Sequence, residues 1–259
     1  MQLLNLPQTS DIENVIISHG HNDHTGGLRS FLEENSIAQI TLHKSIKGEK
    51  FFSCRPKNTT INGFSLREFR SIGMENSLFI EHNSRFNEID QATTICKGVT
   101  VIPSFSNNKK YPLPPGNSFL YKNDLPDNFS HEIATLVEID PDKYAVISPC
   151  THNGILNTLE ECVEHISRAT KCSVDRSREK IILFVGGLHF VDYLSVNEDT
   201  SKETQQQNII KETASTLKKM YPHTRIYSGH CTCKKASEQL SEILGNNYHQ
   251  FNTGTIIQL

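Results

Sequence analysis

The segment His19-Gly20-His21-Asn22-Asp23-His24 sets three imidazoles and a carboxylate within six residues, directly after the β-branched run Val15-Ile16-Ile17. In extended backbone, side chains two apart face the same way, so His19 and His21 can converge on one cation. Asp23 and His24 follow where the chain turns and can point to a second ion. Imidazole nitrogen with carboxylate oxygen suits divalent metals, zinc foremost, with iron or manganese as alternatives. A polar surface loop that happens to hold histidines is the plain alternative, but His-x-His-x-Asp-His straight after a strand of buried type favours metal. Three more histidines come just after apolar runs: His152 after Ala145-Val146-Ile147-Ser148-Pro149-Cys150-Thr151, His189 after Ile181 to Val185 and Gly186-Gly187-Leu188, and His230 after Ile226-Tyr227-Ser228-Gly229. Cys150, two residues before His152, is either a nucleophile or a small packing residue under the metal loop. Cys231 and Cys233 flank Thr232 and read either as a metal-binding pair or, as is commoner for Cys-x-Cys beside a helix start, as buried small thiols.

The elements that must hold these groups follow from periodicity. Leu28, Phe31 and Leu32 suit one face of a helix, so the motif sits on a strand-to-helix loop. Gln39–His43 alternates as a strand, residues 44–52 suit a short helix, and residues 53–62 are polar and rich in turn formers. Phe86–Ile89 and Val99–Ile102 are strand candidates, and residues 107–117 read as a loop by composition, either a border of the site or a disordered insertion. From residue 131 the pattern is strongly α/β. Strands at 133–139 and 144–148 flank the turn Asp140-Pro141-Asp142, and Ile155, Leu159, Cys162 and Ile166 mark a helix over 154–169. A polar connection through Ser177 leads to the apolar strand Ile181 to Val185. Residues 197–208 are hydrophilic, after which Ile210, Ala214, Leu217 and Tyr221 mark a helix. A strand at 225–227, a helix over 234–244 capped by Gly245 and a closing strand at 253–258 complete the chain. Residues 1–13 suit a helix tail and a turn broken by Pro7.

Bulk properties narrow the function. The 259 residues carry 26 basic and 29 acidic side chains, a net charge of −3, which gives no field for coating nucleic acid. No apolar run approaches the ~20 residues of a membrane span. Seven cysteines, an odd number at irregular spacing, fit reduced thiols. With no basic leader and hydrophobic core at the N-terminus, the expectation is a cytoplasmic protein forming one unit over 1–259. The sequons at Asn58 and Asn128 then carry no meaning.

The motif around His19, with Ser148-Pro149-Cys150-Thr151-His152-Asn153-Gly154-Ile155, Gly186-Gly187-Leu188-His189-Phe190 and Ser228-Gly229-His230-Cys231-Thr232, resembles the metallo-β-lactamase fold superfamily over residues 11–259. The blocks look like the branch that includes archaeal dihydropterin ribofuranosylaminobenzene phosphate synthases and hydrolase-like relatives. The resemblance implies an αββα sandwich, here lacking part of the N-terminal half-sheet because only 13 residues precede the first strand. A homo-oligomer or a partner chain would then complete the sheet. It also implies one or two divalent ions, with His152 beside His19 and His21, and His230 beside Asp23 and His24. The superfamily's bridging aspartate has no counterpart, since Gly186-Gly187 occupies that strand end. His189 either substitutes as a ligand or contacts substrate. Where relatives often carry Asp-Glu, this chain has His131-Glu132, which leaves position 131 without an assigned role.

The implied activity is hydrolysis of a phosphate ester or related small molecule by metal-activated water, with Asp23 holding metal and orienting that water. The alternatives are a transferase displacing diphosphate from a dihydropterin methyl group, and a non-catalytic metal-binding remnant that needs a partner chain.

Overall fold

In the computed structural model, which describes residues 7–61, 64–103, 109–192 and 200–258, short β-branched and apolar runs build three sheets. The strands are β1 Asn14–Ile16, β2 Gln39–His43, β3 Phe51–Ile61, β4 Phe64–Ser71, β5 Phe86–Ile89, β6 Thr93–Cys96, β7 Val99–Pro103, β8 Leu120–Lys122, β9 Leu125–Pro126, β10 Ile133–Asp140, β11 Lys143–Ile147, β12 Ile181–Gly186, β13 Arg225–Ser228 and β14 Tyr248–Gln250. The helices are α1 Asn22–Thr25, α2 Leu28–Glu34, α3 Ser77–Glu81, α4 Ile155–Thr170, α5 Val174–Glu179, α6 Thr200–Met220 and α7 Lys234–Leu244.

The larger sheet runs β14-β13-β12-β11-β10-β7-β6, with β11 to β14 parallel and the rest antiparallel. Its register lines Val146, Phe184, Ile226 and Tyr248 in one row. That row is buried under Leu159 and Ile166 of α4, Leu217 of α6 and Leu240 of α7. The opposite face of this sheet is covered along β7 and β10. There Val101 and Ile133 meet Ile89 and the partly buried Ile16 of a parallel sheet ordered β1-β2-β5. The outer face of that sheet carries Ile40 and Leu42 against Leu28 and Leu32 of α2 and Leu78 of α3. The layers are therefore helix, sheet, sheet, helix. The expected reduction of the N-terminal layer corresponds to three strands in that sheet, with β1 at its edge, against seven in the other.

Five sequence expectations fail locally. Residues 44–52 hold a 3-10 turn, Lys44–Ile46, and then the start of β3. Residues 53–61 are not turns but the body of β3, paired with β4 and β8 in a separate sheet, β4-β3-β8-β9. Residues 68–71 of this hairpin are all exposed, so no core face imprints an apolar alternation on it. The link through Ser177 folds as α5, capped by Ser173, whose side chain accepts the Arg176 N–H. The closing strand is β14, upstream of 253–258; Ile256 in that tail is 87% exposed. Helix α6 begins at Thr200, earlier than its apolar stripe suggests. The expected helix tail at 1–6, residues 107–108 of the border loop and residues 197–199 lie outside the described residues.

Candidate metal centre

The loops that leave the C-terminal ends of β1, β11, β12 and β13 gather at one end of the two packed sheets, beside the start of antiparallel β10. The Ile133 N–H donates to Ser18 O at 2.7 Å, stitching the extension of β1 to β10. This seam brings residues more than a hundred positions apart into contact.

His19 and His152 are fully buried, and their ring centroids stand 4.9 Å apart; His21 lies 4.7 Å from His19 and 4.9 Å from His152. Their ring protons have places to go. Ser18 Oγ lies 3.0 Å from His19 Nδ1, and Asn117 Oδ1 lies 3.1 Å from His152 Nδ1 while Asn117 Nδ2 donates to His152 O at 2.7 Å. Outer-sphere partners of this kind fix the tautomer and leave Nε2 as a lone pair. Nε2 of His19, His21 and His152 is buried without a hydrogen-bond partner. Burial, reinforced by the neighbouring histidines, holds His19 and His152 well below the ordinary histidine range, so both are neutral, as a ligand must be. Buried polar nitrogens without partners are costly, and converging lone pairs on neutral rings are what a divalent cation would satisfy.

Beside this trio stands a second group. His24 Nε2 and His230 Nε2 are 3.1 Å apart, and each is 3.4 Å from Asp23 Oδ2. Hydrogen bonds from His230 and His24 hold the Asp23 carboxyl far below the usual carboxylate range, and Asp23 in turn raises His230. Cys150 Sγ is 3.1 Å from His24 Nε2. Among the described residues, ligand atoms within 4.8 Å of one another form four clusters: Asp23-His24-Cys150-His230, His19-Cys150-His152, His19-His21-Asp23 and His21-Asp127-His131.

The surrounding shell is built from residues that carry no motif. The Gly20 N–H donates to His131 Nδ1 at 3.1 Å, which puts the ring proton on Nε2, and this donates to Asp127 Oδ2 at 2.9 Å. Burial pushes the Asp127 carboxyl up, but the hydrogen bond from His131 and the nearby His21 imidazole more than offset it and hold it well below the usual carboxylate range, so Asp127 is ionised. Its Oδ2 stands 3.9 Å from His21 Nε2. Glu132, fully buried, accepts the His152 N–H at 2.7 Å, the Asn153 N–H at 2.9 Å and Asn153 Nδ2 at 2.6 Å, and burial raises its pKa to about 7. Phe129 stacks on His152 with centroids 4.5 Å apart. Thr151, His189 and His230, each on a strand-end loop, have φ between +48° and +53°. Such backbone costs about 1 kcal/mol or more for a non-glycine residue and persists only where surrounding structure enforces it.

The groups open into a cavity of about 590 Å3 whose lining includes Asp23, His152, His189, His230, Glu68, Arg70 and Leu120.

A family model for the metallo-beta-lactamase superfamily matches residues 8–47. The chain is 25% identical over 267 residues, across all of its own length and 79% of the relative's, to a 7,8-dihydropterin-6-methyl-4-(beta-D-ribofuranosyl)-aminobenzene-5'-phosphate synthase of Methanocaldococcus jannaschii. Its structure superposes over 100% of the chain on 82% of the crystal structure of Tm1679, a metal-dependent hydrolase of the beta-lactamase superfamily, with a TM-score of 0.62 at 18% identity. The chain has the metallo-β-lactamase fold.

Within the metallo-β-lactamase fold as this chain builds it, six of the seven expected ligands, His19, His21, Asp23, His24, His152 and His230, come together. The seventh is His189. Its ring lies 4.1 Å from His152, yet it belongs to none of the four clusters, and a Cβ on Gly116 would sit 2.9 Å from its Nδ1. Its place in the cavity lining suits the substrate-contact alternative. The Gly186-Gly187 strand end is closed to any side chain. A Cβ at Gly186 would lie 1.9 Å from Ser148 O, and one at Gly187 2.5 Å from both Cys231 Sγ and Pro149 O. Asn117, Asp127, His131 and Glu132 were not assigned roles by sequence; the spacing of Asp127 and His131, four apart just before a strand, is the one signal that could have drawn attention to them.

Proposed function

We propose that the protein is a metal-dependent hydrolase acting on a phosphorylated small molecule, with His19, His21 and His152 holding one ion and Asp23, His24 and His230 a second. The observation that carries this reading is the buried trio of unpartnered imidazole nitrogens beside a carboxylate and two further imidazoles at the floor of an open cavity. Bound divalent ions would supply hydroxide at neutral pH and charge for the developing oxyanion. Zinc suits this donor set best.

The chain's own groups do the positioning. Asp23, kept ionised by its histidine partners, is an acceptor that orients a water proton away from the attacking lone pair. Asn117 and Glu132 fix the ring and the backbone of His152. Arg70 is the one lysine or arginine among the described lining residues and is the group to hold an anionic substituent.

A second reading, transfer with displacement of diphosphate from a dihydropterin methyl group, is favoured by the synthase relative that aligns with the whole chain. Both readings use the same ligands and separate by substrate. The test is metal analysis of the purified chain together with turnover of a generic phosphodiester and of a dihydropterin diphosphate. Stoichiometric metal, with turnover lost in His21→Ala while the circular dichroism spectrum is kept, is the expected result. Product from the pterin diphosphate alone would select the transferase, and metal without turnover on either would leave a non-catalytic metal protein. Absence of metal after loading with zinc, iron or manganese overturns the assignment.

A further inference from the structure

Two residues belong to clusters on both sides of the site, Asp23 and Cys150. They differ in position. The Asp23 side chain is 53% exposed at the rim, whereas Cys150 is 2% exposed at the floor. Cys150 Sγ lies within 4.8 Å of ligand atoms of His19 and His152 on one side and of Asp23, His24 and His230 on the other. It reaches this place because β11 ends at Ile147 and the chain turns inward through Ser148-Pro149. The adjacent strand end of β12 cannot send a side chain into the same gap, since Gly186 and Gly187 have Ser148 O, Pro149 O and Cys231 Sγ where a Cβ would be.

A buried cysteine usually packs among apolar groups. Here its sulfur faces imidazole nitrogens, 3.1 Å from His24 Nε2, and the neighbouring Nε2 atoms of His19 and His152 are buried without partners.

Resting on the two-ion reading above, we propose that the Cys150 sulfur is a bridging ligand, bonded to both ions as a thiolate at the floor of the site. On loading, two sulfur–metal bonds form and the S–H proton passes to solvent. A thiolate shared by the pair biases the centre toward zinc, cobalt and iron(II) and against manganese and magnesium, which favour oxygen donors. Cys231 is not part of this bridge. It belongs to none of the clusters; its Sγ lies 3.8 Å from Cys150 O and accepts the Cys150 S–H, the proton that leaves when the metals are loaded.

The test is titration of the metal-free full-length chain with cobalt(II), followed by absorption spectroscopy and metal-to-protein ratio. A thiolate-to-cobalt charge-transfer band in the near ultraviolet is expected to grow through both equivalents. It is expected to vanish in Cys150→Ser and Cys150→Ala and to persist in Cys231→Ser. Cobalt affinity should fall at least tenfold in the Cys150 variants, whose folding is checked by thermal denaturation of the metal-free chains; if Cys150→Ala fails to fold, Cys150→Ser, closest in size to the native side chain, carries the test. A band complete at one equivalent would mean a ligand to a single ion and overturn the bridge. Two bound cobalt ions with no such band, or with a band unchanged in Cys150→Ser, would overturn the sulfur ligand while leaving the two-ion site standing. Failure of the native chain to bind cobalt at all would overturn the two-ion site and the bridge together.

Discussion

Glu132→Ala should strike both the stability of the protein and its hold on metal, and the size of the effect follows from the bonds it removes. The carboxylate accepts from the backbone N–H of His152 and of Asn153 and from the Asn153 amide. The amide keeps a second acceptor, Phe129 O, at 3.1 Å. The two backbone donors do not, and alanine leaves both buried and unpaired. Each such group costs about 1–3 kcal/mol, so the variant should lose roughly 4 kcal/mol, a large part of the ~5–15 kcal/mol that holds a domain folded. With a urea slope of about 3 kcal/mol/M, the unfolding midpoint should drop by roughly 1 M. Glu132→Gln keeps one carbonyl oxygen able to accept and turns an amide toward the other donor, so about half that loss is expected. Because the same two donors belong to the loop that aims His152, zinc affinity of the folded alanine variant should fall about 10- to 100-fold. Urea titration and competitive zinc chelation measure the two effects. A midpoint and a zinc affinity for Glu132→Ala equal to those of the native chain would refute the claim that this carboxylate holds the loop.

Asn117→Ala removes the partner of His152 Nδ1 without exposing core, so zinc affinity should drop about tenfold while the urea midpoint moves by less than ~1 kcal/mol equivalent. Arg70→Ala should raise KM for a phosphorylated substrate about tenfold with kcat nearly unchanged, read by steady-state kinetics, and should leave an uncharged ester unaffected. Burial would raise the Glu160 carboxyl, but Arg178 at 2.7 Å and Tyr221 at 2.6 Å more than compensate and hold it below its ordinary value of 4.5. A depressed folded-state pKa contributes stability that is full above the unfolded value and is lost as pH falls through the folded one. Glu160→Gln should therefore be less stable than the native chain at pH 7, with the gap closing on acidification below about 4, as followed by thermal denaturation.

What the sequence disclosed and what it hid divide along physical lines. The cluster at 19, 21, 23 and 24 was legible because metal coordination demands particular atoms at close spacing, and the approach of His152 and His230 to it because apolar strands of a buried sheet announce where the loops begin. Strands β10 to β13 and helices α4 and α7 were legible for the related reason that two covered faces or one covered stripe leave a period in the chain. The β3–β4 hairpin leaves none, because its described end stands in solvent with Phe69 68% exposed. The outer shell was hidden for a different reason. His131 meets Gly20 across 111 positions, and Glu132 meets His152 across 20. A hydrogen-bond partner supplied by tertiary packing can be any of several polar residues, so its identity carries no local signature. His189 shares the strand-end position of its neighbours, and its ring is packed against the turn at Gly116.

The hydrogen bond from Ile133 to Ser18 joins the two sheets where the histidines meet. Four of the converging side chains travel with the β1-β2-β5 sheet and the others with the larger one, so an ion held between them would rivet the two layers of the sandwich. Loading would then make the layers harder to pry apart, and stripping the ions would loosen the whole body rather than just its mouth.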